Sequence, residues 1–136
     1  MSDYGAHPTQ YGNLSEGNLY AMYRESVYRS LSVSQKLDLL QETVNRDAAA
    51  RGEVGSPKVR FENLPSGTDG YAEKGVISVN RDLAVNGTRT ATYQGNTLQH
   101  TINDYNIQSL VTVLHENVHC YHDQLIDGTI RNADPQ

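Results

Sequence analysis

Ile107 to Leu125 reads IQSLVTVLHENVHCYHDQL, and the rest of the chain is best understood outward from it. Within it His115, Glu116 and His119 stand as H-E-x-x-H. On a helix two histidines four apart lie one turn above each other, the placement two imidazoles need to grip a single metal ion, usually zinc. Glu116 falls about 100° further round, where a carboxylate can take a proton from water at the metal. His119 and His122 lie within about 40° of His115, on either side of it. Leu110, Val111, Leu114, Val118, Tyr121 and Leu125 fill the adjoining arc. The expectation is a helix with this apolar face in the core and its histidines along the edge, at the bottom of a cleft. Cys120, about 140° round, is expected as a small buried residue facing away from the metal.

Upstream, residues 1–14 are polar and broken by Gly5, Pro8 and Gly12, and read as a flexible N-terminal arm before a single domain over 15–136. Ser15 is a candidate cap for a first helix carrying Leu19, Met22, Tyr23, Val27 and Leu31 at helical spacing. Ser32 and Gln35 form a capping box for a second, whose stripe is Val33, Leu37, Leu40, Val44 and Ala48, with Gly52 as its stop. Then the period changes. Segments 58–64 (KVRFENL), 75–81 (GVISVNR) and 88–94 (TRTATYQ) read as short strands, with turns at Asn86-Gly87 and Gly95-Asn96. TLQHTIND bridges to the long helix, with Asn103 or Asp104 as its cap. Two helices, a short mostly antiparallel sheet and the long H-E-x-x-H helix make a small α+β domain.

The 136 residues suit one core, 37% of them hydrophobic. Nine tyrosines, one phenylalanine and no tryptophan mean that the core carries phenol hydroxyls in need of partners. A formal charge of −5 without a Lys/Arg cluster argues against a nucleic-acid partner. No apolar run is long enough to span a bilayer, so no membrane partner is expected either. Cys120 is the sole cysteine, which rules out an intrachain disulfide. The first residues show no basic n-region followed by an apolar h-region, the marks of a classical signal peptide.

A five-residue motif with two free positions also arises by chance, and a solvated helix with incidental histidines is the plain alternative. The apolar LVTVL before the motif and the third histidine weigh against it. The stretch LVTVLHENVHCYHD resembles the active-site helix of the zincin metallopeptidases. With the strand ending VISVN, it is similar to compact H-E-x-x-H toxin modules of bacterial secreted or polymorphic effectors. That resemblance implies a zincin-like fold with 75–81 as the strand edging the cleft, zinc (Zn2+) on His115 and His119, and Glu116 as general base. It further implies hydrolysis of a peptide or protein substrate and an inhibitor or immunity protein as a second partner. It also implies synthesis in a bacterial cytoplasm, with export by a specialised secretion system. Modules of this kind run further beyond the motif, so a domain shortened at its C-terminus is expected. The rival reading is a degenerate zincin that binds metal or a protein partner without catalysis.

The chain departs from the family in its third ligand. Metzincins continue to a glycine and a third histidine, where this chain has His122 and Leu125. Gluzincins supply a later glutamate, and none follows Glu116. Gly128-Thr129 begins like the aspzincin element, but the next aspartate is Asp134. His122 is the first candidate, on the right face but about 10 Å of rise from His115. A role beside the metal, donating to a developing oxyanion, suits it equally. Asp127 is the second, at the helix end where Gly128 lets the chain turn back; Asp123 and His100 are weaker candidates. Tyr93 and Tyr105 are expected nearer the cleft, Asn80 at a strand end.

Overall fold

The computed structural model describes residues 3–130. The last six residues of the expected domain, Asp134 among them, lie outside the described residues. The order is α1 (Glu16–Ala21), α2 (Glu25–Ser30), α3 (Val33–Arg51), β1 (Lys58–Glu62), β2 (Gly70–Glu73), β3 (Val76–Asn80), β4 (Thr88–Tyr93), β5 (Asn96–Thr101) and α4 (Tyr105–Ile126). A π-helical turn, Asp82–Asn86, joins β3 to β4. The α+β class holds. No helix among the described residues is long and apolar enough to cross a membrane.

The helix caps follow the local chemistry. Ser15 accepts from the Asn18 amide, Ser32 and Gln35 form the reciprocal capping box, and Gly52 closes α3 at φ 79°. The single first helix expected over Leu19–Leu31 is two. Arg24 is extended, at φ −60° and ψ 142°, and ends the run. The break frees the Tyr23 carbonyl, which a continuous helix would spend on its own ladder, to accept from Asn106 Nδ2 of α4 at 2.8 Å. Tyr23 itself is buried and stacked on Tyr28.

Strand β3, expected at the edge of the sheet, is its centre: the order is β1-β3-β2. It pairs in parallel with β1, Lys58 opposite Val76, and antiparallel with β2, Gly70 opposite Val79. The edge beside α4 is instead β2, a segment whose glycine and lack of apolar alternation hide it from a pattern reading. Segment TLQHTIND, expected as a bridge, carries all but the first residue of β5, which forms an antiparallel hairpin with β4. Val59, Ile77 and Val79 point from the three-stranded sheet into the core shared with Leu39, Leu40 and Val44 of α3 and Val113 of α4. The opposite face is polar: Arg60 meets Ser78 Oγ and Glu62, and Tyr71 donates to Glu62.

Two of the buried phenols are partnered across the core. Tyr23 shares a 2.6 Å bond with Thr43 Oγ1, and Tyr28 donates to the Ala84 carbonyl at 2.8 Å. The N-terminal segment is tied down from residue 3 onward, unlike the loose arm its composition suggests. Gly5 bridges Ser56, Thr9 donates to Glu42, and Arg46 binds the carbonyls of Tyr11 and Leu14. Tyr4 reaches the Cys120 carbonyl on α4.

Candidate metal centre

Helix α4 begins at Tyr105, with Asp104 in the cap position, and runs unbroken through the motif. The face it buries differs from the one its apolar residues foretell. Buried are Tyr105, Asn106, Ser109, Thr112, Val113, Glu116, Asn117, Cys120 and Gln124. Val111, by contrast, is 53% exposed, and Leu114, Val118, Tyr121 and Leu125 are only half-buried. The buried polar side chains are largely satisfied locally or by α3 and the loop after it. Ser109 and Thr112 bond back to the carbonyls of Tyr105 and Gln108, and Asn117 donates to Asp47. Gln124 pairs both ways with the Val54 backbone. With these bonds made, Ser109, Thr112 and Gln124 enter the interior at little cost, and hydrophobicity alone selects the wrong arc.

His115 and His119 therefore stand on the exposed side of α4, at the rim of a cleft and not at its bottom. Their Nε2 atoms are 3.3 Å apart, with ring centroids at 4.8 Å and planes at 89°. Two imidazole nitrogens each about 2.0–2.1 Å from one tetrahedral ion stand about 3.3–3.4 Å apart. The pair thus has the bite of two zinc ligands, and imidazole is a donor type that zinc favours. Between protein nitrogens alone, a 3.3 Å contact requires one ring to donate a proton to the other.

Beside the pair, His115 and Glu116 line a cleft of about 400 Å³, whose other walls are Gly67–Gly70 and Gln108, Val111 and Thr112. Glu116 is 9% exposed, its stem against β2 at Gly70. The Gly67–Gly70 wall is pinned from behind. Asp69 takes both arms of the Arg89 guanidinium at 2.8–2.9 Å, and Thr90 O accepts from Ser66 Oγ and Gly67 N. Asn80, at the end of β3, braces the same loop by donating to Thr68 O and accepting from Asp82 N. That is the strand-end role its position suggests.

The candidates for a third ligand are not gathered here. No group of three His, Cys, Asp or Glu side chains suited to a metal occurs among the described residues. His122 is exposed against the Tyr121 ring. Asp127 caps the end of α4, where Oδ1 accepts from the Thr129 amide; the Thr129 hydroxyl, and then that amide, hold its carboxyl below the usual range. Asp123 and Asp127 line a separate hollow of about 680 Å³ with Tyr4, Lys74 and Gln124. His100 lies on exposed β5. Tyr93 is exposed, whereas Tyr105 is buried edge-on against Tyr28, away from the cleft. Cys120 is buried, as its angle requires, and burial pushes its thiol up to about 11.

Sequence reasoning missed the cleft's second wall. The Gly67-Thr68-Asp69-Gly70 run reads only as a chain break, and its pairing with Arg89 crosses twenty residues. Comparison of the chain with protein-family models, with curated proteins and with solved structures finds no match.

Proposed function

We propose that this chain is a zinc-dependent peptide-bond hydrolase in which His115 and His119 hold the metal and Glu116 is the general base. The observation that carries the reading is the 3.3 Å separation of the two Nε2 atoms, at the rim of a cleft into which a largely buried carboxylate faces. Zinc bound there supplies a Lewis acid that acidifies water and polarises a peptide carbonyl. Glu116 accepts the proton of the attacking water and returns it to the departing amine. Its stem is wedged between α4 and β2, which limits the positions its carboxylate can take. The outer edge of β2 can pair with an extended peptide, and the Gly67–Gly70 wall then bounds the peptide where it passes Glu116.

The rival, a degenerate zincin that binds metal or a partner without hydrolysis, draws on a specific observation as well. Two histidines are paired, and no third His, Cys, Asp or Glu joins them in a group suited to a metal among the described residues. A role as a bacterial effector countered by an immunity protein rests on the resemblance of the VISVN strand and the motif helix alone.

Zinc content after equilibrium dialysis, measured together with cleavage of unstructured peptides, separates these readings. Wild-type protein is expected to hold zinc and cleave. His115→Ala and His119→Ala should lose zinc, whereas Glu116→Gln should keep it and lose about 10²–10⁴-fold in rate. Zinc without cleavage in the wild type gives the rival reading. A wild type that binds no zinc ends the hydrolase reading and leaves, of the rival, only the binding of a partner.

A further inference from the structure

Glu53 follows Gly52 at the end of α3, and its amide closes the cap on Ala48 O at 3.0 Å. Its side chain turns inward and is 9% exposed. Both carboxyl oxygens are buried and have no hydrogen-bond donor from the protein. Beside them is the amide of Asn117, which is fully buried in the middle of the motif. Asn117 Nδ2 gives one hydrogen to Asp47 Oδ2 at 2.8 Å, which fixes the orientation of the amide, and Oδ1 is left without a donor. The two Glu53 oxygens and Asn117 Oδ1 are thus three buried acceptors without a full hydrogen-bond partner, each of which weakens the fold while it stays unpaired.

The surrounding groups cannot relieve it. From α3, Arg51 is committed to Asp47 Oδ2 at 2.9 Å, and the Asp47 carboxylate repels a second negative charge. From α4, the Cys120 thiol is held neutral by burial. From the N-terminal segment, the Tyr4 hydroxyl is spent on the Cys120 carbonyl, and His7 lines the neighbouring hollow with its Nε2 on Asp3 O.

We propose that Glu53 is carried as a neutral carboxylic acid whose O–H donates to Asn117 Oδ1, so that one proton satisfies two buried groups and clamps the motif helix to the end of α3. Asn117 stands between Glu116 and His119 in the chain. Held by Asp47 on one side and Glu53 on the other, it fixes the rotation of α4 and so the direction of the histidine pair. This positioning role goes beyond the hydrolase reading and does not depend on a metal. The energetics agree: burial, opposed by an N–H of the Asn117 amide, and then the Asp47 charge, opposed by Arg51, push Glu53 up to about 7. The folded chain therefore keeps a proton that the unfolded chain has released above its ordinary value of 4.5. Stability falls as pH rises from about 4.5 through 7 and levels off beyond.

Glu53→Gln replaces the O–H with an N–H of nearly the same reach. It is expected to melt with the wild type at pH 5 and about 5 °C above it at pH 8. In the wild-type protein, side-chain carboxyl 13C shifts should show Glu53 titrating close to neutrality, apart from the other carboxylates. A Glu53→Gln protein that melts below the wild type at pH 8, or a Glu53 that titrates in the ordinary carboxylate range, overturns the proposal.

Discussion

Gly70 shows how closely the motif helix depends on one absent side chain. A Cβ there would lie 2.7 Å from Thr112 Cγ2, 2.9 Å from Ser78 O and 3.6 Å from Glu116 Cγ. The Ser78 oxygen belongs to the central strand and has no room to yield. Gly70→Ala is therefore expected to lose about 1–3 kcal/mol in denaturant unfolding, by lifting β2 from α4. Gly17→Ala, with open space around it, should lose nothing and gain up to about 1 kcal/mol of helix propensity. If both glycine variants unfold alike, the close approach of β2 to α4 is not what Gly70 provides. The positions of His115, Glu116 and His119 relative to one another were legible in the sequence, because the helical period alone fixes them. The side of α4 that faces the core was not. Asn117 and Gln124 turn inward because Asp47 takes a hydrogen from the one amide and the Val54 backbone pairs with the other, each some seventy residues earlier.

At the scale of elements, what was legible is what neighbouring residues decide, such as the Ser32–Gln35 capping box and the stop at Gly52. The break between α1 and α2 was hidden because its cause, Asn106, is eighty-three residues away. Its importance can be measured. Asn106→Ala leaves the Tyr23 carbonyl unpartnered in the interior and should cost about 1–3 kcal/mol. Ser32→Ala, at an exposed cap, should cost about 1 kcal/mol. A chemical-denaturation midpoint that moves more for Ser32→Ala than for Asn106→Ala would count against this account of the break. The same reasoning covers the sheet. Apolar β3 is visible as a strand, but whether it lies at the edge or in the centre depends on β1 and β2, which a local pattern does not contain.

Across the whole molecule, side-chain amides knit loops to helices where strands are too short to do so. Gln41 accepts from Val59 N and donates to Pro57 O, extending the free edge of β1 by one false strand, and Gln124 does the same for the loop at Val54. The N-terminal segment closes over this junction through Gly5 and Ser56. Such tertiary ties are the least legible part of the fold, since Gln41 and Gln124 read as ordinary polar helix residues. The strand order carries a further consequence, in time. Strands β2 and β3 are joined by Lys74 and Gly75, both at positive φ (51° and 80°), so that hairpin closes locally. Strand β1 meets β3 only after the chain has looped past β2, and the loop-closure entropy of that parallel pairing must be overcome separately. Pulse-labelled amide exchange during refolding should protect the β2–β3 hydrogen bonds before those between β1 and β3. Simultaneous protection of both ladders would show instead that the sheet assembles in one step.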